Sequence, residues 1–405
     1  MDAKTRMIPE HLETPFNHTD QALMQNPYPL YEQMRGKCPV NHTQALGGFW
    51  TVANYDDLKA VEFDWATYSN ADGTGIPKHA LSPMYPQDID PPLQTEYRKL
   101  LNPHFTAAGV AKWADKVREV THQMIDNIIE KGEADLASEV CRPMPPKIAL
   151  PFLGVPPADE AQICHWIEHL TTARASDPVG VGETVGKITQ YLLNLVAQRR
   201  TAPAQDDVLG DLLTAKINGQ ALTDDDIFRV IIILLFGSLD TTTAAMLESL
   251  RHLANHPEDK ARLTQHPEMW PVALQEFVRY ASPVQGLRRT LTKDATLHGV
   301  DLQAGDKLLL LFGSANRDES KFTNGNQCVI DRTPNNHVAF GAGPHICLGR
   351  HMALLQLETL LRAVLERIPD FTLAVPDSEI RYASAETRGI LSLPVRFTPG
   401  QRRNA

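Results

Sequence analysis

The residues that most constrain this chain are Phe340-Gly341-Ala342-Gly343-Pro344-His345-Ile346-Cys347-Leu348-Gly349-Arg350, which run directly into the helix-forming stretch His351 to Leu361. Glycines at 341, 343 and 349, with Pro344 among them, let the backbone turn tightly and approach something flat and bulky with no Cβ in the way. Cys347 falls where a helix begins, beside unpaired N–H groups and the positive end of the helix dipole, which favours a thiolate over a thiol. A cysteine held this way can be a metal ligand, a nucleophile or an inert buried thiol, since free cysteine is among the most buried residue types.

Composition narrows the setting. With 405 residues and 42% hydrophobic content the chain can bury a large core. A formal charge of -10 argues against nucleic acid as the main partner. The five cysteines (Cys38, Cys141, Cys164, Cys328 and Cys347) are odd in number and form no C-x-x-C pair, a pattern that suits a reducing compartment such as the cytoplasm rather than a disulfide framework. Residues 1–16 are polar, with Pro9 and Pro15, so no signal peptide is expected. The longest apolar run, Val230 to Phe236, is far short of the ~18 residues that span a bilayer, and no membrane association is expected.

In chain order, Tyr28 to Arg35 reads as a short helix, the residues up to Phe49-Trp50-Thr51-Val52 as a strand pair, and Asn54-Tyr55-Asp56-Asp57 as the start of the next helix. From Tyr68 to Pro92 periodicity disappears, and a loop that long inside a compact protein is usually functional. Helical spacing returns at Thr95 to Leu101, Val110 to Lys131 and Gln162 to Leu170. A second soft stretch, Thr171 to Gly186, carries Gly180, Gly182 and Gly186, which suit a mobile lid. Thr223 followed by Asp224, Asp225 and Asp226 is a helix N-cap signal. The helix it launches ends at His256-Pro257, a length of ~50 Å at ~1.5 Å per residue. Midway, Gly237-Ser238-Leu239-Asp240-Thr241-Thr242-Thr243 is poor helix material, and a weak spot in a committed buried helix points to function. Glu276 and Arg279 share one helix face, residues 295–311 read as hairpins, and Thr323 to Ala339 has no regular pattern.

The spacing F-G-x-G-x-H-x-C-x-G resembles the haem-binding loop of the cytochrome P450 family, with matches at Phe340, Gly341, Gly343, His345, Cys347 and Gly349. Other stretches resemble that family in its own order. Asp90-Pro91-Pro92 through Arg98 resembles a D-P-P-x-H-x-x-x-R propionate segment, with Gln94 in the histidine's place; Gln94 can donate a hydrogen bond but brings no charge. Gly237 to Thr241 resembles the small-small-x-acid-Thr segment that distorts a helix into a groove for O2, with Ser238 where glycine is commoner. Arg289 matches the offset of a second propionate arginine, with Arg288 beside it leaving the choice open, and Glu276 with Arg279 resembles the structural E-x-x-R pair.

The resemblance implies a single domain over residues 1–405, mainly α with a smaller β-rich lobe near residues 40–55, 284–313 and 370–398. Haem b (iron protoporphyrin IX) would lie between the long central helix and the cysteine helix. Cys347 is implied as the iron ligand, and Arg98, Gln94, Arg289, His345, Phe340, Gly341 and Gly349 as cofactor-binding residues. Asp240 and Thr241 are the implied catalytic pair that manages protons, while the thiolate favours cleavage of O2. Ile233, Phe236, Gly237, Val284, Leu287 and Ile390 are expected to line the substrate pocket. The implied reaction is O2-dependent hydroxylation or oxidative demethylation of a small, mostly apolar substrate such as a terpenoid or an aromatic compound. The enzyme would be a monomer, with electrons from a [2Fe-2S] ferredoxin and its NAD(P)H-dependent ferredoxin reductase. Arg98, Lys99, Lys112, Lys116 and Arg350 would form the donor's docking patch. The rivals are a peroxide-driven haem peroxygenase and a non-catalytic haem-thiolate gas-binding protein; the Asp240-Thr241 pair weighs against both.

Overall fold

One helix, Asp224–Asn255, organises the molecule, running unbroken for 32 residues. Its start is a reciprocal cap: Thr223 Oγ1 accepts the Asp226 N–H at 3.1 Å, and the Asp226 carboxylate accepts the Thr223 N–H at 2.9 Å. It stops at His256 because Pro257, which has no N–H to continue the ladder, opens the next helix, Pro257–Gln265. Val230, Ile231 and Ile232 are all buried, as a helix surrounded by protein requires. The helices Met144–Leu153, Pro178–Thr201, Trp270–Ala281 and Arg350–Arg367 pack around it. By length and composition this helix could cross a membrane, but 56% of its most apolar window is buried inside the protein, the condition of a core helix.

The computed structural model describes residues 8–79, 81, 83–172, 177–203, 205–383 and 386–403. Its largest sheet has the order Val40–Thr43, Phe49–Val52, Lys307–Leu310, Leu287–Leu291, Tyr68–Ser69. The second and third strands are parallel and the other pairs antiparallel. The hairpin of Ala295–Leu297 with Val300–Leu302 turns through His298 and Gly299, both at positive φ, as a tight two-residue hairpin turn needs. Apart from Tyr68–Ser69, these strands lie within residues 40–55 and 284–313. Outside them lie Glu133–Asp135, which pairs with Pro394–Arg396, and the hairpin of Lys216–Ile217 with Gln220–Ala221. Strands of two or three residues are too short to show the alternation that marks a strand in sequence.

The soft stretch before residue 186 turns out differently from the expected lid. Gly180, Gly182 and Gly186 belong to the helix Pro178–Thr201. Asp177 caps it, its carboxylate accepting the Gly180 N–H at 2.9 Å, and Pro178 sits in the first turn. The cap and proline outweigh three glycines that each cost ~1 kcal/mol against alanine. Residues 173–176 of that stretch lie outside the described residues.

The unpatterned stretch from Thr323 to Ala339 is ordered by a buried ion pair. Glu276 and Arg279 side chains are 0% exposed. Arg279 donates twice to Glu276, both at 2.7 Å, and to the carbonyls of Asn316, Gly325 and Gln327 at 2.6 to 2.8 Å. Glu276 also accepts from the Val329 N–H at 2.7 Å, Arg332 Nε at 3.0 Å and Asn335 Nδ2 at 3.1 Å. The chain that lacks a ladder of its own thus finds its partners in two side chains. Within the same stretch, His337 accepts the Ala339 N–H at 3.2 Å through Nδ1, and its Nε2 lies 3.0 Å from Gln275 Oε1. Burial, helped by Arg279 and opposed by Glu276, lowers its pKa to about 4.

Arg279→Met leaves Glu276 short of its main cation in the interior and should cost roughly 3–5 kcal/mol, read from urea unfolding. A second expectation follows from His337. Its folded pKa lies below the unfolded value of about 6.5, so the unfolded chain takes up the proton first as pH falls. The stability it contributes is complete above about pH 6.5 and is lost towards pH 4. The urea midpoint should therefore drop less between pH 7.5 and pH 5 in His337→Gln than in the wild type.

Candidate active site

The cysteine loop closes on itself before the helix Arg350–Arg367 begins: the Cys347 N–H donates to the Phe340 carbonyl at 2.7 Å, and Gly349 is the helix N-cap. Gly341 and Gly343 have φ of 71° and 62°, in the region that favours glycine. A Cβ on Gly343 would lie 2.5 Å from the Glu62 carbonyl oxygen, so this glycine serves close packing on the helix Tyr55–Phe63. Gly349 is the one that opens outward, since a Cβ there meets nothing within 4 Å. Burial pushes the Cys347 thiol up, opposed by the Gly349 N–H, Arg98 and Arg350. The helix start therefore favours the thiolate as the sequence implies, but burial is the larger influence.

Cys347, Phe340, Gly341, His345 and Gly349 line a cavity of about 570 Å³, whose other walls include Gly237, Asp240 and Thr241 from the central helix. Arg98 and Arg289 line it as well. Arg289 pairs with Glu62, which is itself buried and accepts the Ala342 N–H at 3.0 Å. Arg288 points the other way, donating to the Gly73 carbonyl at 3.1 Å and pairing with Asp72. Alternation along the strand Leu287–Leu291 thus selects Arg289 for the cavity. Burial lowers the pKa of Arg98, opposed by Cys347. His345 is held at a pKa of about 3 by burial, Arg289 and Arg98, so it is neutral and can donate but adds no charge. Its Nε2 is buried without a hydrogen-bond partner among the described residues.

Gln94 departs from its expected place. Its side chain is off the cavity and donates to the Pro344 carbonyl at 2.6 Å, bracing the cysteine loop from behind. The central helix is continuous through its weak stretch. Ser238 Oγ donates to the Leu235 carbonyl at 2.7 Å and Thr241 Oγ1 to the Gly237 carbonyl at 2.9 Å, so the hydroxyls are absorbed by the preceding turn.

Of the expected pocket residues, Ile233, Phe236, Gly237, Val284 and Leu287 line the cavity. Ile390 does not. It is 3% exposed, pairs with Tyr382, and belongs to a strand that packs on the central helix. Glu386 and Thr387, a few residues earlier, take the place assigned to it. The long loop after Tyr68 also supplies wall residues, among them Asn70, Thr74 and His79, in keeping with its expected functional role. Of the expected docking patch, Arg98 lines the cavity, and the exposed Lys99 and Lys116 pair with Glu96 and Glu119 at 2.7 and 3.2 Å. Glu62 carried no sequence signal, lying in an ordinary helix end between Val61 and Phe63.

These residues fit a haem. The Cys347 sulfur lies on one wall, two arginines and His345 Nε2, which has no hydrogen-bond partner among the described residues, stand ready for anionic groups, and the positions of Gly237 and Gly349 open into space where a Cβ would meet nothing.

Comparison with known proteins agrees. The family model described as Cytochrome P450 matches residues 179–398. The chain is 32% identical over 375 residues to a steroid C26-monooxygenase of Mycolicibacterium smegmatis, covering 91% of this chain and 92% of that protein. It is 33% identical over 395 residues to Cytochrome P450 130 of Mycobacterium tuberculosis, covering 92% and 95%. The solved structure of the Bacillus subtilis bacillaene polyketide synthase cytochrome P450 PksS superposes with a TM-score of 0.85 at 26% identity, covering 95% of this chain and 100% of that one. The chain therefore belongs to the cytochrome P450 family and is a monooxygenase of that family, with the haem-thiolate cofactor the family implies.

Proposed function

We propose that Cys347 would hold the iron of haem b through its thiolate, and that the cavity beside it takes a compact, mostly apolar substrate for hydroxylation or oxidative demethylation. The observation that carries this reading is one cavity with Cys347 on one wall and Gly237, Asp240 and Thr241 on another. When bound, haem supplies activation of O2 and transfer of one oxygen atom to an unreactive bond. Arg98, Arg289 and His345 Nε2 would hold its propionates, with Arg289 shared with Glu62. The Gly349 N–H and the charges of Arg98 and Arg350 favour the thiolate form of Cys347. Thr241 Oγ1 holds its proton against the Gly237 carbonyl; turned into the cavity, that hydroxyl can deliver the proton and Asp240 can replace it. Apolar walls from Ile148, Phe152, Leu153 and Leu234 exclude bulk water.

The steroid named for one similar protein and the polyketide synthase named for another support a lipophilic substrate, of which a terpenoid or aromatic compound is the class proposed. The volume of about 570 Å³ would be shared between the cofactor and the substrate, which favours a small molecule. Electrons would come from a [2Fe-2S] ferredoxin and its NAD(P)H-dependent reductase. The free thiols of Cys38, Cys141, Cys164, Cys328 and Cys347 support the cytoplasm as the compartment. Residues 1–405 would act as one domain and as a monomer.

The reduced protein with carbon monoxide should show a thiolate-type Soret band that Cys347→Ala abolishes; a band that survives the substitution sinks the assignment. Thr241→Ala should keep that band while product formed per NADH falls by about tenfold or more and hydrogen peroxide appears instead. Gly237→Ala should act in opposite directions on stability and binding. The added methyl meets nothing within 4 Å and should stabilise the helix by up to ~1 kcal/mol. It also fills cavity space, so spectral dissociation constants for bulky ligands should rise.

A further inference from the structure

Most of the cavity wall is hydrocarbon, where a carboxylate is costly unless it has a partner. The lining contains Glu62, Asp240 and Glu386. Glu62 belongs with Arg289 and the cysteine loop, and Asp240 with the proton path. Glu386 is the acid that neither role uses. Its Oε1 lies 2.8 Å from Nε2 of His79, which also lines the cavity. The two side chains come from distant segments and are 26% and 32% exposed.

The backbone fixes this pair in position. The Glu386 carbonyl accepts the Gln285 N–H at 2.7 Å, and Thr387 bridges to Val284, itself a cavity residue. Both side chains rest against Gly75, where a Cβ would lie 2.5 Å from His79 Nε2 and 2.6 Å from Glu386 Oε1. The space the pair occupies exists because residue 75 has no side chain.

We infer that Glu386, steadied by His79, is the polar recognition point of the chamber, accepting a hydrogen bond from a substrate hydroxyl and rejecting substrates that carry a carboxylate. The inference rests on the reading of this cavity as the substrate chamber. An alcohol oxygen can donate to the Glu386 carboxylate and meet the His79 imidazole as donor or acceptor. A substrate carboxylate meets like charge in a site of low dielectric, where repulsion is stronger than in water. The substrate class is thereby narrowed to lipophilic alcohols, and the aromatic and aliphatic acids are excluded by a repulsive element. His79 is a positioning residue here, since the discrimination comes from the charge on Glu386.

The test uses the holoenzyme and two probes on one hydrocarbon skeleton, 1-decanol and decanoate, with dissociation constants read from the Soret shift. Wild type should bind the alcohol about tenfold or more tightly than the acid, equivalent to ~1.4 kcal/mol. Glu386→Gln should bring the two constants together by improving decanoate, while His79→Gln, which keeps the carboxylate, should still prefer the alcohol. A wild type that binds decanoate as tightly as 1-decanol overturns the inference. So does a Glu386→Gln variant that keeps its carbon monoxide band and the wild-type ratio. A haem-loaded protein whose spectrum neither probe shifts overturns the chamber reading, and the inference with it.

Discussion

The ion pair of Glu276 and Arg279 is the interaction on which the rest of this structure leans. Two opposite charges with no exposed surface are expensive to take out of water, and the cost is met only because every remaining hydrogen-bonding position is filled. Arg279 collects three carbonyls and Glu276 an amide N–H, a second guanidinium and a side-chain amide. All of these partners come from residues 316–335, the run of chain that leads into the cysteine loop. The pair therefore works as a mould. It gives a segment without helix or strand one conformation, and the segment delivers Phe340 and the loop after it to the central helix.

The cavity shows the same economy in its glycines. Gly343 is spent on close packing beneath the loop, Gly75 on room for the His79 and Glu386 side chains, and Gly237 and Gly349 on open space along the central helix and at the cap of the helix after Cys347. Helix stability is given up at Gly237 where the wall has to recede, and the strong cap at Thr223 together with burial along Val230 to Ile232 compensates.

Much of this was legible in the sequence, for identifiable reasons. The cysteine loop, the cap at Thr223, the Glu276 and Arg279 spacing and the long loop after Tyr68 are local signals, and each sits in the structure where local chemistry puts it. What the sequence left open or misplaced depends on partners far along the chain. Arg288 and Arg289 could be told apart only once the strand's face was known. Gln94 faces the Pro344 carbonyl, 250 residues away. Ile390 looks like a pocket residue by its apolar character, yet pairing with Tyr382 turns that strand into core and leaves the polar Glu386 and Thr387 at the cavity. Glu62 and His79 have no local signature, since their roles exist only across contacts to Ala342, Arg289 and Glu386.

Glu62 has two oxygens and two clients. One holds the guanidinium of Arg289 and the other the amide of Ala342 within the cysteine loop. An acidic group arriving at Arg289 competes for the first client, and a carboxylate that shifts to share it also loosens its grip on the second. With Arg289 in its proposed role, cofactor capture and the posture of the sulfur-bearing loop would be a single coupled equilibrium, joined by one acid on a neighbouring helix.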